Sequence, residues 1–160
     1  MTAFMSKQND FLNAIQALVE LEYDTREAYE EAIKKISNDD YKIKLNEFCQ
    51  DHEHHIMELS KILQNHNEPT TAKPSIVKYF ITKGKVVLGE VIGEVIGEVI
   101  GEVIGDQTIL AAMASNEIDT NIAYERINAR HDRLDDAKEI LKQGLKDEKK
   151  HKKWFDEINI

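Results

Sequence analysis

Two stretches of this chain, 95 residues apart, are nearly the same. Residues 22–30 read Glu-Tyr-Asp-Thr-Arg-Glu-Ala-Tyr-Glu, and residues 117–125 read Glu-Ile-Asp-Thr-Asn-Ile-Ala-Tyr-Glu, so six of nine positions are identical. A shift of 96 continues the match: Leu45 falls on Leu141, Asp51 on Asp147, His55 on His151 and Leu59 on Phe155. The chain is therefore read as one helical hairpin used twice, joined by a long crossover. A lone hairpin leaves its apolar stripe wet, whereas two hairpins can bury their stripes against each other. The expected fold is all-α, a four-helix bundle, in one domain spanning 1–160. A length of 160 residues suits one domain with one real core.

The punctuation and the apolar spacing predict the elements. The first helix is expected over about 10–36, capped by Asn9 or Asp10, with a seam of Phe11, Ile15, Leu18, Glu22, Thr25, Tyr29, Ala32 and Ile36. Ser37-Asn38-Asp39-Asp40 is a turn and the next cap. The second helix, about 41–64, has the seam Tyr41, Leu45, Phe48, His52, His55, Leu59 and Ile62. Residues 65–106 form the crossover. A third helix is expected over about 107–129, with Leu110, Met113, Glu117, Thr120, Tyr124 and Ile127 inward. A fourth, about 133–158, is capped by Asp132 and turns Leu134, Ala137, Leu141, Gly144, Glu148, His151, Phe155 and Ile158 inward.

All four seams are apolar at their ends and polar in the middle. Counting from the two turns at about 1.5 Å per residue, Glu22, His52, His55, Glu117, Glu148 and His151 fall within about one helical turn of the same level. Glu148-x-x-His151 and His52-x-x-His55 each place both members on one helix face. Three buried, unpaired carboxylates would cost several kcal/mol each. A metal ion supplies the opposite charge, and imidazole with carboxylate suits iron, manganese or zinc. These six are the candidate metal ligands. Tyr29 and Tyr124, about two turns along the same seams, are candidate neighbours of the site.

At these residues the chain resembles the ferritin-like superfamily, whose members use a Glu from each of two helices and a Glu-x-x-His from each of the other two. Glu22 and Glu117 match the single carboxylates, Glu148-x-x-His151 matches one pair in full, and Tyr29 sits where many members carry a tyrosine. Position 52 departs from the pattern, with His where the second bridging Glu stands. Asp51-x-x-His54 is nearer the pattern, but off the apolar stripe. The second half also resembles an uncharacterised bacterial ferritin-like family, a domain of unknown function, through Gly105-Asp106-x-x-Ile109-Leu110 with Glu117 and Tyr124. The resemblance implies a bundle with iron as the first candidate metal, one or two ions, and Fe(II) chemistry with O₂ or peroxide.

The crossover carries six of the seven glycines, in 84–105, with Gly-Glu-Val-Ile four times in succession from Gly89. On a helix, Val, Ile and Gly cover one side and Glu the other, so a helix over 75–104, about 45 Å long, is expected to lie along the bundle. A strand reading of the Val/Ile run finds no second strand to pair with. The small-residue stripe suits close packing, including self-association, with a dimer favoured. The second function class is thus a non-enzymatic bundle with a degenerate site, acting through this helix on itself or a partner. Whether the chain is an enzyme stays open at this stage.

Charge and composition remove other classes. Lys and Arg total 21 against 30 Asp and Glu, a net charge of −9, which argues against a nucleic-acid partner. One cysteine, Cys49, excludes an internal disulfide framework. No signal segment and no run of about 20 apolar residues is present, so a cytoplasmic protein without a membrane span is expected.

Overall fold

The computed structural model describes residues 2–70, 78–82, 85–89 and 105–158, with side chains over 7–70 and 105–158. Four helices and one two-stranded hairpin are found among the described residues: α1 (Thr2–Lys35), α2 (Asp39–Asn65), β1 (Lys78–Thr82), β2 (Lys85–Gly89), α3 (Asp106–Asn128) and α4 (Asp135–Glu157). Helix α1 packs on α2 and α3 on α4, and the two hairpins meet along α1–α3 and α2–α4. The bundle is all-α, as the repeated seams predict.

The helix ends follow local chemistry. Asn38 caps α2, its side chain accepting from the Tyr41 amide at 3.1 Å, and Asp39 and Asp40 follow in the first turn, where the helix dipole favours acids. At the other end Glu68 N bonds Leu63 O at 2.9 Å and Asn67 N bonds Gln64 O at 3.1 Å, with Asn67 at φ 58°. This is a Schellman closure, and asparagine tolerates the left-handed backbone it requires. Asp106, the first residue of α3, reaches the opposite loop: its carboxylate accepts from Ser37 N at 2.7 Å and Asn38 N at 2.8 Å. The start of the second hairpin is thereby clasped to the turn of the first.

Three expectations are corrected. Helix α1 starts at Thr2 rather than at a cap on Asn9 or Asp10, because nothing in residues 2–9, neither proline nor glycine, interrupts it. Asp132 does not cap α4; it binds Arg130 at 2.9 and 2.7 Å, and Leu134 takes the cap position. The crossover helix over 75–104 gives way, at residues 78–82 and 85–89, to an antiparallel pair with Tyr79 opposite Leu88 and Phe80 opposite Val87. The second strand that the sequence reading did not find is Lys-Tyr-Phe-Ile-Thr, rich in aromatic and β-branched residues and set off by Lys83-Gly84. β1 lies beside α1, and β2 beside α3. Residues 90–104, with most of the Gly-Glu-Val-Ile repeat, lie outside the described residues. No helix among the described residues is long and apolar enough to cross a membrane.

The core has three levels. An apolar layer around Ala32, Leu45, Phe48, Leu110, Met113 and Phe155 closes one end. Another, around Phe11, Ile15, Leu59, Ile62, Leu63 and Leu141, closes the other. Between them all the fully buried acids and histidines of the described residues gather.

Candidate metal centre

Glu22 from α1, His52 and His55 from α2, Glu117 from α3, and Glu148 and His151 from α4 are all buried, none more than 4% exposed. The structure brings all six sequence-predicted residues into one layer. Their donor atoms form two overlapping groups, each within 4.8 Å: Glu22, His52, His55 and Glu148; and His52, Glu117, Glu148 and His151. Asp51-x-x-His54 does not form an alternative set, since His54 faces solvent.

His52 occupies the middle. Its Nδ1 lies 2.7 Å from Glu22 Oε2 and 3.6 Å from Glu148 Oε1, and its Nε2 lies 3.4 Å from Glu117 Oε1. His55 Nδ1 is 3.1 Å from Glu22 Oε1 and 3.5 Å from Glu148 Oε1. His151 Nδ1 is 3.4 Å from Glu117 Oε2 and 3.9 Å from Glu148 Oε1. Every ring therefore turns at least one nitrogen toward the carboxylates.

The surrounding contacts cross between the hairpins. The Tyr29 hydroxyl of the first hairpin donates to Glu117 of the second, and Tyr124 of the second donates to Glu22 of the first. Asp51 of α2 lies 2.9 Å from His151 Nε2, and Asp147 of α4 lies 3.3 Å from His55 Nε2. Each aspartate thus engages the outer nitrogen of the other hairpin's histidine, leaving Nδ1 turned inward. Such a partner fixes ring orientation and tautomer. The tyrosines were anticipated as neighbours, but the aspartates' role was not. The visible signal was the alignment of Asp51 with Asp147 in the repeat.

Two further residues shape the site: Asn121, which the sequence reading missed, and Gly144, which it placed in the fourth seam without a role. Asn121 donates to the backbone carbonyls of Glu148, at 2.8 Å, and Glu117, at 3.2 Å, tying α3 to α4 beside the site. Gly144 makes room for Tyr124: a Cβ there would lie 2.3 Å from Tyr124 Cε1.

Burial and charge redistribute protons in this layer. Burial alone would raise the Glu22 carboxyl, but the His52 and His55 rings more than reverse this and hold it down to about 2. Glu117 is likewise buried, yet His151 and His52 hold it well below the usual carboxylate range. Glu148 goes the other way. Burial and the Glu117 carboxylate push it up to about 8. Burial opposes charge on His52, but Glu148 and Glu22 raise it well above its ordinary value. His55 and His151 are also raised against burial, chiefly by Glu22 and by Asp51 with Glu117 respectively. Burial, then Glu117 or Glu22, drives the Tyr29 and Tyr124 hydroxyls well upward, so both remain donors.

The donor set fits a metal. Neither oxygen of Glu148, nor Glu117 Oε2, nor His151 Nδ1 has a hydrogen-bond partner among the described residues, although all are buried. Unsatisfied buried polar atoms are rare and costly, and these lie together, His151 Nδ1 being 3.4 Å from Glu117 Oε2 and 3.9 Å from Glu148 Oε1. Three carboxylates and three imidazoles are hard-to-borderline ligands of the kind that first-row divalent ions take.

The fold is ferritin-like. The bacterioferritin-related protein from Bacteroides fragilis, described as a dodecameric thioferritin, superposes with a TM-score of 0.72 over 96% of this chain and 87% of that one, at 13% identity. A protein-family model described as "Domain of unknown function (DUF2383)" matches residues 10–78. That match covers the first hairpin and the start of the crossover, rather than the Gly105–Tyr124 stretch on which the sequence resemblance rested. No curated protein matches the chain by sequence.

Proposed function

We propose that this chain is a metal-binding protein whose six-residue layer holds one or two divalent ions, iron first among them, with manganese and zinc as the other candidates. The observation that carries this reading is Glu148. Its carboxylate sits within 3.9 Å of all three inward-facing Nδ1 atoms, with neither oxygen hydrogen-bonded among the described residues. Iron bound there would supply Fe(II) redox chemistry with O₂ or peroxide. The chain's own residues supply the rest. Glu22, Glu117 and Glu148 offset the ion's charge, and the three rings offer neutral nitrogen. Asp51 and Asp147 hold two of those rings in orientation. The apolar layers above and below exclude water, and Tyr29 and Tyr124 keep Glu117 and Glu22 in place through their hydroxyl protons.

The test is metal content per folded chain after anaerobic Fe(II) loading and desalting, beside Glu148→Ala/His151→Ala. Close to two irons, or one, in the wild type and none in the variant supports the reading. No retained metal in either, including after zinc or manganese loading, overturns it.

Assembly is part of the reading. The Bacteroides fragilis neighbour is described as a dodecamer, and Ile118 and Ile122, one turn apart on α3, are 47% and 38% exposed here. A homo-oligomer, at least a dimer, would cover them. Sedimentation that returns only the 18.4 kDa monomer at micromolar concentration would exclude it.

A further inference from the structure

We propose that His52 is shared by two divalent cations, one on each ring nitrogen, so that an imidazole stands where a bridging carboxylate would be expected. This rests on the metal-binding reading above and goes beyond it in fixing how two ions would be held. The overlap of the two donor groups is the starting point. Only His52 and Glu148 belong to both; the other four divide evenly, Glu22 with His55 and Glu117 with His151.

The ring of His52 lies between those pairs. Nδ1 faces the first, 2.7 Å from Glu22 Oε2, and Nε2 faces the second, 3.4 Å from Glu117 Oε1. The other two rings are built differently. His55 and His151 each turn Nδ1 inward and give Nε2 to an aspartate. Each can therefore bind one ion and keep its outer N–H. Among the described residues His52 has no outer partner of that kind: its Nδ1 and Nε2 both lie against site carboxylates, and it is fully buried. When an ion occupies each group, each takes one nitrogen of His52, and the ring protons leave to solvent. Glu148 remains the second common ligand.

The arrangement also follows from the repeat. Position 52 aligns with Glu148, so the two residues common to both groups are the two that the repeat places opposite each other. Each group then contains two imidazoles and two carboxylates. The pair of positions is balanced, although the shared ligands are chemically unlike.

Cobalt(II) tests this without reference to activity. Each histidine that binds cobalt through one nitrogen and keeps the other N–H gives a strongly shifted proton resonance that disappears in D₂O. The folded wild-type protein with two cobalt ions per chain is expected to show two such resonances, from His55 and His151, and none from His52. Three resonances at two cobalt per chain would overturn the sharing. Uptake of only one cobalt ion would also overturn it, while leaving the metal-binding reading standing. Uptake of none by folded protein would overturn both. His52→Gln provides an independent check. It should retain the two resonances, with the second cobalt bound at least about tenfold more weakly. Unchanged affinity for both ions would count against the sharing.

Discussion

The two hairpins carry the same parts in the same order, yet two of the aligned positions at which they differ lie against the centre. Position 52 is histidine where position 148 is glutamate. Position 48 is phenylalanine where position 144 is glycine. In the first hairpin Phe48 meets Tyr29 edge-on at 6.4 Å and stacks on His151 at 4.2 Å. In the second, the missing side chain at Gly144 lets Tyr124 press against α4, with its ring 5.6 Å from His55. Near-symmetry places the six donors. The departures from it decide which ring is wedged by an aromatic and which by a tyrosine.

The largest expected effect tests the aromatic side. Phe48 is 2% exposed and also packs on Trp154 and Phe155. Phe48→Ala should cost about 3–5 kcal/mol in denaturant unfolding of the metal-free protein. A loss below about 1 kcal/mol would show that the stacked ring is dispensable and the contrast empty.

The tyrosines should behave as a matched pair. Tyr29→Phe and Tyr124→Phe each remove a hydroxyl that donates to a buried carboxylate, so each should cost about 1.5–3 kcal/mol. Equal losses would support crosswise equivalence. A large loss from only one would break it.

Gly144→Ala asks whether the second hairpin needs its gap. The new methyl meets Tyr124 Cε1 at 2.3 Å. Overpacking of this kind costs about 1–3 kcal/mol. The same measurement on Gly144→Ala/Tyr124→Phe tests the cause. The losses should not add if the clash already displaces the hydroxyl from Glu22.

A pH trend tests the proton that Glu148 holds. In the metal-free protein Glu148 is raised from 4.5 to about 8. The folded chain therefore holds a proton there that the unfolded chain has lost, and stability falls as pH rises from about 5 toward 8. The raised histidines act in the same direction: their contribution is complete below the ordinary histidine range and is lost above it. Below pH 4.5 the sign reverses, since Glu22, lowered to about 2, loses its stabilising pairs as it protonates. Thermal unfolding should show a maximum near pH 5, and Glu148→Gln should flatten the upper limb. A metal-free protein equally stable at pH 5 and 8 would refute the proton placement.

Much of this was legible in the sequence, because helical spacing converts directly into a face. Glu22, Glu117 and the two i, i+3 pairs could be assigned to one layer from the period and their distance from the turns. What a seam cannot show is which helix lies across from which. The crosswise bonds from Asp51 to His151 and from Asp147 to His55 depend on how the hairpins face each other, so they were invisible along the chain. Asp132 was misread for a related reason. A capping residue competes with any nearby cation, and Arg130 won. The crossover strands were not legible because each is only five residues long, too short for its spacing to fix a period.

The clasp that Asp106 makes on the Ser37–Asn38 turn has a consequence for inheritance. It sets the start of α3 from the bundle side, independently of how much chain arrives from the crossover. A tandem Gly-Glu-Val-Ile tract is the kind of sequence that gains and loses units by copying slippage. With α3 anchored at its first residue, the number of units can drift between generations while Glu117 keeps its depth. The centre is thereby insulated from changes in the length of that tract.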